Sequence, residues 1–273
     1  MRASPRITRN VTLAVLALIV FGALWWQSRK DIVSLSDPVI WTGYTLFGFM
    51  VFLFLFQSRK RLSMVPLGRA AHWTGLHAVG GLLGVGVFWL HTGKLWPQGG
   101  YEQALAALFY IVSISGAVGY GMLIMYPKRL TQRDVEVIYE RIPGIISDFR
   151  EAAEEVVLAC TRDTGSDTLS RHYLETFYWF FQRPRFFFSH VVDADLADHW
   201  VRKQSAVVGR YLDAAEKPYL DKLREIAHAK TKIDFNYAVQ TVMKAWLFVH
   251  VPLAAALMML AIWHLIVVNV YAL

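Results

Sequence analysis

Long apolar stretches alternate with short polar connections along the chain, and they cover residues 11–27, 38–57, 71–92, 101–126 and 243–271. An α-helix rises about 1.5 Å per residue, so roughly 20 apolar residues cross the hydrocarbon core of a bilayer. The pattern therefore predicts five transmembrane helices. No small-residue cleavage motif follows the first stretch, which we interpret as a retained membrane anchor and not as a signal peptide.

A polar segment interrupts the pattern between the fourth and fifth stretches. Residues 127–244 hold 18 of the 21 acidic and 18 of the 28 basic residues. Apolar positions recur there at intervals of three and four, as at Val135, Ile138 and Ile142, which favours helices over strands. The sequence thus predicts an all-α membrane protein, with transmembrane helices in 1–126, a soluble helical insert in 127–242 and the last transmembrane helix in 243–273.

Composition narrows the class of protein. The chain is 55% hydrophobic and 18% charged, against roughly 25% charged in an ordinary soluble domain, so its composition argues against a freely soluble enzyme. The net charge of +7 arises in the segments beside the apolar stretches and requires no nucleic acid as partner. Cys160 is the sole cysteine, which excludes an intramolecular disulfide, a four-cysteine metal site and covalent c-type haem. The insert carries no recognisable nucleotide-binding or catalytic motif.

Basic residues collect in alternate connections. They precede the first stretch, lie between the second and third, and follow the fourth: Arg2, Arg6, Arg9, Arg59, Lys60, Arg61, Arg69, Lys128, Arg129 and Arg133. By the positive-inside rule the N-terminus and the insert are cytoplasmic, and the C-terminus lies on the opposite side. We expect an integral protein of the bacterial inner membrane with a periplasmic C-terminus. The third and fifth predicted helices then run in the same direction.

Two pairs of histidines lie inside the apolar stretches. His77 and His91 are 14 residues apart, as are His250 and His264 on the fifth predicted helix. Fourteen residues fall about 40° short of four turns, so each pair shares a helix face and spans about 21 Å. On parallel helices His77 matches His250 in depth. His91 likewise matches His264, and two facing helices would present two bis-imidazole sites, an arrangement that can hold two haem irons.

The alternative for any one histidine is a hydrogen bond to a neighbouring helix. With 9 histidines in 273 residues, a partner at a fixed offset arises by chance roughly once in 30, so two such pairs favour ligation. Glycines between His77 and His91, including Gly80 and Gly84, would let a flat macrocycle approach the helix backbone. Glycine in membrane helices is also a common packing contact.

The histidine pattern resembles the diheme membrane cytochromes b, particularly the N-terminal four-helix bundle of cytochromes b and b6. Related pairs occur in b561-type cytochromes and ferric reductases. In the family the second and fourth bundle helices each carry two ligand histidines at a similar spacing. The family's glycine pairs are loosely matched by Gly43 and Gly48 and by Gly116, Gly119 and Gly121, whereas its quinol-site P-E-W-Y sequence is absent. The insert and the first helix have no counterpart.

The resemblance implies two non-covalent haem b groups, an inner one on His77 and His250 and an outer one on His91 and His264. It implies an electron-transfer subunit of an oxidoreductase complex in a respiratory chain and not a stand-alone enzyme. Its expected partners are membrane lipid, a redox partner subunit and quinone. Two alternatives stay open, a transporter whose histidines line a proton or ion path and a structural adaptor that recruits a partner through the insert.

Bases flank the predicted ligand helices, at Arg69, Lys94 and Lys244. They could pair with haem propionates, and ordinary anchoring at the membrane interface explains them equally well.

The insert carries an aromatic segment at residues 177–188. We expect it to dock on the membrane surface, with a place in the insert core as the alternative. Four further histidines lack metal-site spacing and are predicted to be surface groups: His172, His190, His199 and His228. We expect the insert to shape a docking surface or quinone entrance beside the inner haem, and an inert cap is the alternative.

Overall fold

The computed structural model describes residues 5–55, 70–132, 137–192 and 195–271, and these ranges are helical without a strand. The longer helices are α1 (Pro5–Val33), α2 (Val39–Leu55), α3 (Ala70–Thr92), α4 (Gly100–Gln132), α5 (Ile142–Thr164), α9 (Leu196–Val208) and α10 (Lys217–Tyr271). Shorter helices are α6 (Thr168–His172), α7 (Tyr178–Phe181) and α8 (Phe187–Val191). A 3₁₀ turn covers Tyr139–Arg141 and a π turn covers Tyr173–Phe177. The predicted all-α class is confirmed.

Four of these helices are long and apolar enough to cross a membrane. They contain Val11–Val33, His72–Thr92, Gly100–Arg129 and the apolar end of Lys217–Tyr271. The described part of α2 is also apolar but has 17 residues, which is shorter than a full span. The chain is therefore a multi-pass integral membrane protein, and the fifth crossing stays a prediction.

The chain divides into two compact units. The first unit comprises Met1–Gly121 and Leu247–Leu273, and the second comprises Met122–Trp246. Because α4 and α10 are long, each contributes residues to both units.

The core of the first unit joins four helices. Its buried side chains come from α2, α3, α4 and α10: Leu46, Val87, Phe88, Ala106, Phe109 and Leu257. The rings of Phe88 and Phe109 stack with centroids 4.5 Å apart. Helix α1 packs on α3, where a Cβ added to Gly86 would lie 2.7 Å from the ring of Phe21. Glycine at this position therefore lets the two helices approach closely.

The second unit is built around aromatic side chains. Phe177, Phe180 and Phe181 are among its fully buried residues, and the rings of Phe180 and Trp200 lie 5.1 Å apart. Membrane docking is therefore wrong for these three phenylalanines, which form the core of this unit. The physical reason is their spacing, since positions three and four apart on consecutive helical turns face the same side. Phe188, at the end of the segment, is exposed.

The surface prediction for the histidines of this unit holds only in part. His190 is 2% exposed and packs edge-on against Phe235, so the prediction is wrong for that residue. His199 is exposed. His172 contacts the ring of Tyr211, and His228 Nδ1 lies 2.9 Å from Asp198 Oδ1.

An ion pair lies in the interior of the second unit. Lys230 Nζ donates to Asp234 Oδ2 at 2.7 Å and to the carbonyl oxygen of Arg183 at 3.0 Å. The backbone N–H of Arg185 donates to the same Asp234 oxygen. Lys230 Nζ also lies 4.1 Å from the centroid of the Phe180 ring. The pair thus ties α10 to the segment between α7 and α8.

Candidate functional site

The four membrane histidines meet in two pairs within the first unit. The rings of His91 on α3 and His264 on α10 have centroids 6.4 Å apart and planes 78° apart. His77 on α3 lies close enough to His250 on α10 to interact with it electrostatically. Helices α3 and α10 therefore run in the same direction, with one pair at each of two levels.

The separation of His91 and His264 can be compared with that of two imidazoles on one metal. A metal lies about 2 Å from a ligating imidazole nitrogen, which is itself about 1.2 Å from the ring centre, so two imidazoles on opposite sides of the metal have centroids about 6.4 Å apart. The observed 6.4 Å fits this value. By this measure alone, a single metal ion would fit between the two rings.

The ring of His91 is oriented by α2. Its Nδ1 lies 3.0 Å from the carbonyl oxygen of Val39, and because a carbonyl only accepts, Nδ1 carries the proton. The lone pair is then on Nε2, the nitrogen available to a metal. A Cβ added to Gly43 would lie 2.8 Å from His91 Cε1, so the ring occupies space that any other residue would fill.

The ring of His250 is oriented by α4. Ser115 Oγ and His250 Nδ1 are hydrogen-bonded at 3.1 Å, so Nε2 is the nitrogen through which this side chain would bind a metal. A Cβ added to Gly116 would lie 3.6 Å from His250 Cε1. His250 is 7% exposed. A polar side chain and a glycine on α4 thus form one wall of the inner level.

Contacts of the remaining two rings complete the site. Tyr101 on α4 stacks against His264 with centroids 6.1 Å apart and planes 21° apart. The His77 ring hydrogen-bonds the backbone of Leu53. That leucine, Phe52 and Trp73 surround one side of His77.

The residues that support the histidines repeat the histidine spacing. Val39 and Leu53 on α2 contact the α3 histidines, and Tyr101 and Ser115 on α4 contact the α10 histidines. Each supporting pair is 14 residues apart and runs antiparallel to its histidine pair. Sequence reasoning missed all four residues. Their 14-residue offset is the signal that could have found them.

Each level brings together two imidazoles, His91 with His264 and His77 with His250. Within the described residues no group of three or more histidine, cysteine, aspartate or glutamate side chains could hold a metal ion. Two imidazoles alone are a poor site for a bare ion, whereas a macrocycle that supplies the in-plane ligands needs only two axial imidazoles. The two histidine pairs would therefore suit a haem at each level.

The glycines predicted to face haem differ in their surroundings. A Cβ added to Gly80 would lie 3.1 Å from Leu53 Cδ2, which is a packing contact between α3 and α2. Gly84 is buried, and an added Cβ there would have no atom within 4 Å. The interior between the two histidine levels thus has open space at Gly84.

Two of the three bases that flank the predicted ligand helices lie within the described residues. Arg69 lies outside the described residues, and Lys94 is exposed just beyond the end of α3. Lys244 forms an ion pair with Glu140 at 2.8 Å and lies 3.7 Å from the centroid of the Tyr139 ring. Lys244 therefore already has a counter-ion in the second unit.

No protein family, curated protein or solved structure matches this chain. A helical fold by itself hosts many activities, so only the chemistry of the site can indicate the function.

Proposed function

We propose that this protein is a membrane-bound diheme b-type cytochrome, an electron-transfer subunit of an oxidoreductase complex. The observation that carries the proposal is the 6.4 Å separation of the His91 and His264 rings, which suits two axial ligands of one iron. The proton of His91 on Nδ1 supports it further, because it directs Nε2 to the metal. His77 and His250 would hold the second haem.

In the proposed function, the histidines of this site would bind the haem irons, and neighbouring side chains and backbone groups would orient the histidine rings. His91 is held by a carbonyl of α2 and His250 by a hydroxyl of α4, so each ligand nitrogen is presented without a search among rotamers. The open space at Gly84 would admit part of a macrocycle. A haem at each level supplies reversible one-electron chemistry when bound. The two levels are about 21 Å apart along the helix axis, given 14 residues between the histidines of one helix.

The wider assignment follows from the charge pattern. We place the N-terminus and the insert in the cytoplasm and the outer histidine pair near the periplasmic side of a bacterial inner membrane. The donor and acceptor classes are a quinone pool or a partner subunit at one face and a second redox partner at the other.

Haem content of single histidine variants tests the proposal. The purified wild-type protein is expected to bind two haems per chain in a pyridine haemochrome assay, with reduced absorption of the b type. His91→Ala and His264→Ala should each lose the outer haem and keep the inner one, because one axial ligand is removed from one level. His77→Ala should do the reverse.

His72→Ala is the matched control, since His72 lies on the same helix and is exposed. It should keep both haems. A stable, colourless wild-type protein would contradict the proposal and favour a histidine-lined transporter or an adaptor. Two haems retained in His91→Ala would contradict the ligand assignment alone.

A further inference from the structure

We propose that Tyr101 is a positioning residue that holds the His264 ring nearly perpendicular to the His91 ring. By fixing this angle, Tyr101 would set the electronic structure of a haem iron bound between the two rings. The inference rests on the proposed function, since it concerns a haem bound between these two rings. In this role Tyr101 acts through His264 and does not itself bind the iron.

Tyr101 makes two contacts with the part of α10 around His264. Its ring stacks on the imidazole with planes only 21° apart. Its hydroxyl donates to the carbonyl oxygen of Leu260 at 2.6 Å. Leu260 is one helical turn before His264, and its carbonyl is the one that the backbone N–H of His264 reaches in an α-helix. Tyr101 is thus tethered to the same turn of α10 that carries the imidazole.

This double contact restricts rotation of the imidazole about its bond to Cβ. A stacked aromatic ring disfavours orientations that would turn the imidazole edge into its face, and the hydroxyl tether prevents the phenol from moving aside. Across the site, the His91 plane is fixed independently by Val39 and Gly43. The 78° angle between the two imidazoles therefore depends on Tyr101 at one end and α2 at the other.

The angle between axial imidazoles has a spectroscopic consequence. Each imidazole π system interacts with one of two iron d orbitals that lie at right angles. Perpendicular planes affect both orbitals alike and leave them close in energy, which gives ferric low-spin iron a large maximum g value. Parallel planes separate the orbitals and lower that value. The geometry at His91 and His264 predicts the large-g form for the outer level.

Electron paramagnetic resonance of the oxidised protein tests this role. The outer signal is identified as the one absent from His91→Ala. In Tyr101→Leu, which removes both stacking and tether, the maximum g value of that signal should fall and its line should broaden. Tyr101→Phe keeps the ring and loses only the tether, so a smaller fall is expected. The inner signal should not change in either variant.

Tyr110→Phe is the matched control. Tyr110 is also on α4, and its hydroxyl donates to the Leu95 carbonyl oxygen at the same 2.6 Å, yet its ring stacks on Trp96 and on no histidine. It should leave the outer signal unchanged. If Tyr101→Leu fails to retain the outer haem, the shift in Tyr101→Phe decides the question.

The outcomes separate the two proposals. Outer signals in the Tyr101 variants that match wild type, with two haems bound, overturn the role of Tyr101 and leave the proposed function standing. A wild-type protein without haem overturns both. A shift that appears equally in Tyr110→Phe assigns the effect to general loosening of α4 and also overturns the role of Tyr101.

Discussion

Lys230 and Asp234 carry opposite charges in the interior of the second unit, where neither side chain is exposed. Burial lowers the pKa of Lys230 and raises the pKa of Asp234 to about 6. Such a pair adds little net stability compared with apolar residues, but removal of one partner leaves a buried charge at a cost of about 3–5 kcal/mol. The pair therefore affects stability mainly through the cost of removing one partner.

Lys230→Met should therefore destabilise the second unit by about 3–5 kcal/mol near neutral pH. At pH 5 the same substitution should lower the free energy of unfolding by less. Without its counter-ion the pKa of Asp234 rises further, so the native state favours the neutral acid. The preference of the folded variant for a protonated Asp234 therefore adds stability at pH values below the pKa of an unfolded aspartate. This added stability is lost as the pH rises through the pKa of Asp234 in the folded variant. Thermal unfolding of the full chain in detergent at pH 5 and pH 8 measures the difference.

Adding Asp234→Asn to Lys230→Met should restore most of the stability and remove the pH dependence, because the amide oxygen can still accept from the Arg185 N–H. Lys232→Met is the control, since Lys232 is exposed on the same helix. Equal losses in Lys230→Met and Lys232→Met would show that the buried pair does not stabilise this unit in the way described.

Single residues differed in how far their positions could be predicted. The histidine pairs stand out because imidazoles are rare in apolar stretches and share a helix face. Ser115 and Tyr101 are ordinary residues for such helices, and only the pairing of α4 with α10 brings them to His250 and His264. The ion pair at Lys230 was missed because its burial depends on the distant α7–α8 segment.

At the scale of helices, apolar stretches and periodicity were sufficient to predict an all-α protein, because length and hydropathy alone distinguish long membrane helices. The aromatic segment was misjudged for a related reason. Its composition suits both a membrane surface and a protein core. Burial of Phe177, Phe180 and Phe181 is decided by the surfaces that other helices of the second unit offer, which no local pattern records.

Helix α2 provides a test of how closely two helices must approach at the outer level. In Gly43→Ala the new Cβ would lie 2.8 Å from His91 Cε1, closer than real Cβ contacts, so the ring must move. We expect this variant to lose the outer haem selectively, reducing haem content to about half. The pyridine haemochrome assay and the absorption spectrum measure the loss.

Gly48→Ala is the matched control on the same helix, because a Cβ there has no atom within 4 Å. It should retain both haems and the wild-type unfolding temperature. Gly43→Ala could instead keep full haem content and an unaltered outer signal in electron paramagnetic resonance. In that case the close contact at Gly43 does not position His91.

For the whole molecule, the direction of insertion rests on charge. Bases flank alternate ends of the apolar stretches, and this asymmetry predicts orientation without reference to any contact within the protein. The pairing of the histidines does not depend on it, because α3 and α10 run in the same direction and would invert together. Orientation and pairing are thus separate properties and need separate tests.

Cysteine labelling can test the orientation with little background. Cys160 is the sole cysteine, it is fully buried, and burial raises the pKa of its thiol, so the wild-type chain should react slowly with maleimides. Ser36→Cys, exposed between α1 and α2, should be labelled in intact cells by a membrane-impermeant maleimide. Lys222→Cys, exposed on the second unit, should react only after the membrane is permeabilised. Labelling of Lys222→Cys but not Ser36→Cys in intact cells would mean that the protein is inserted the other way, with the second unit outside.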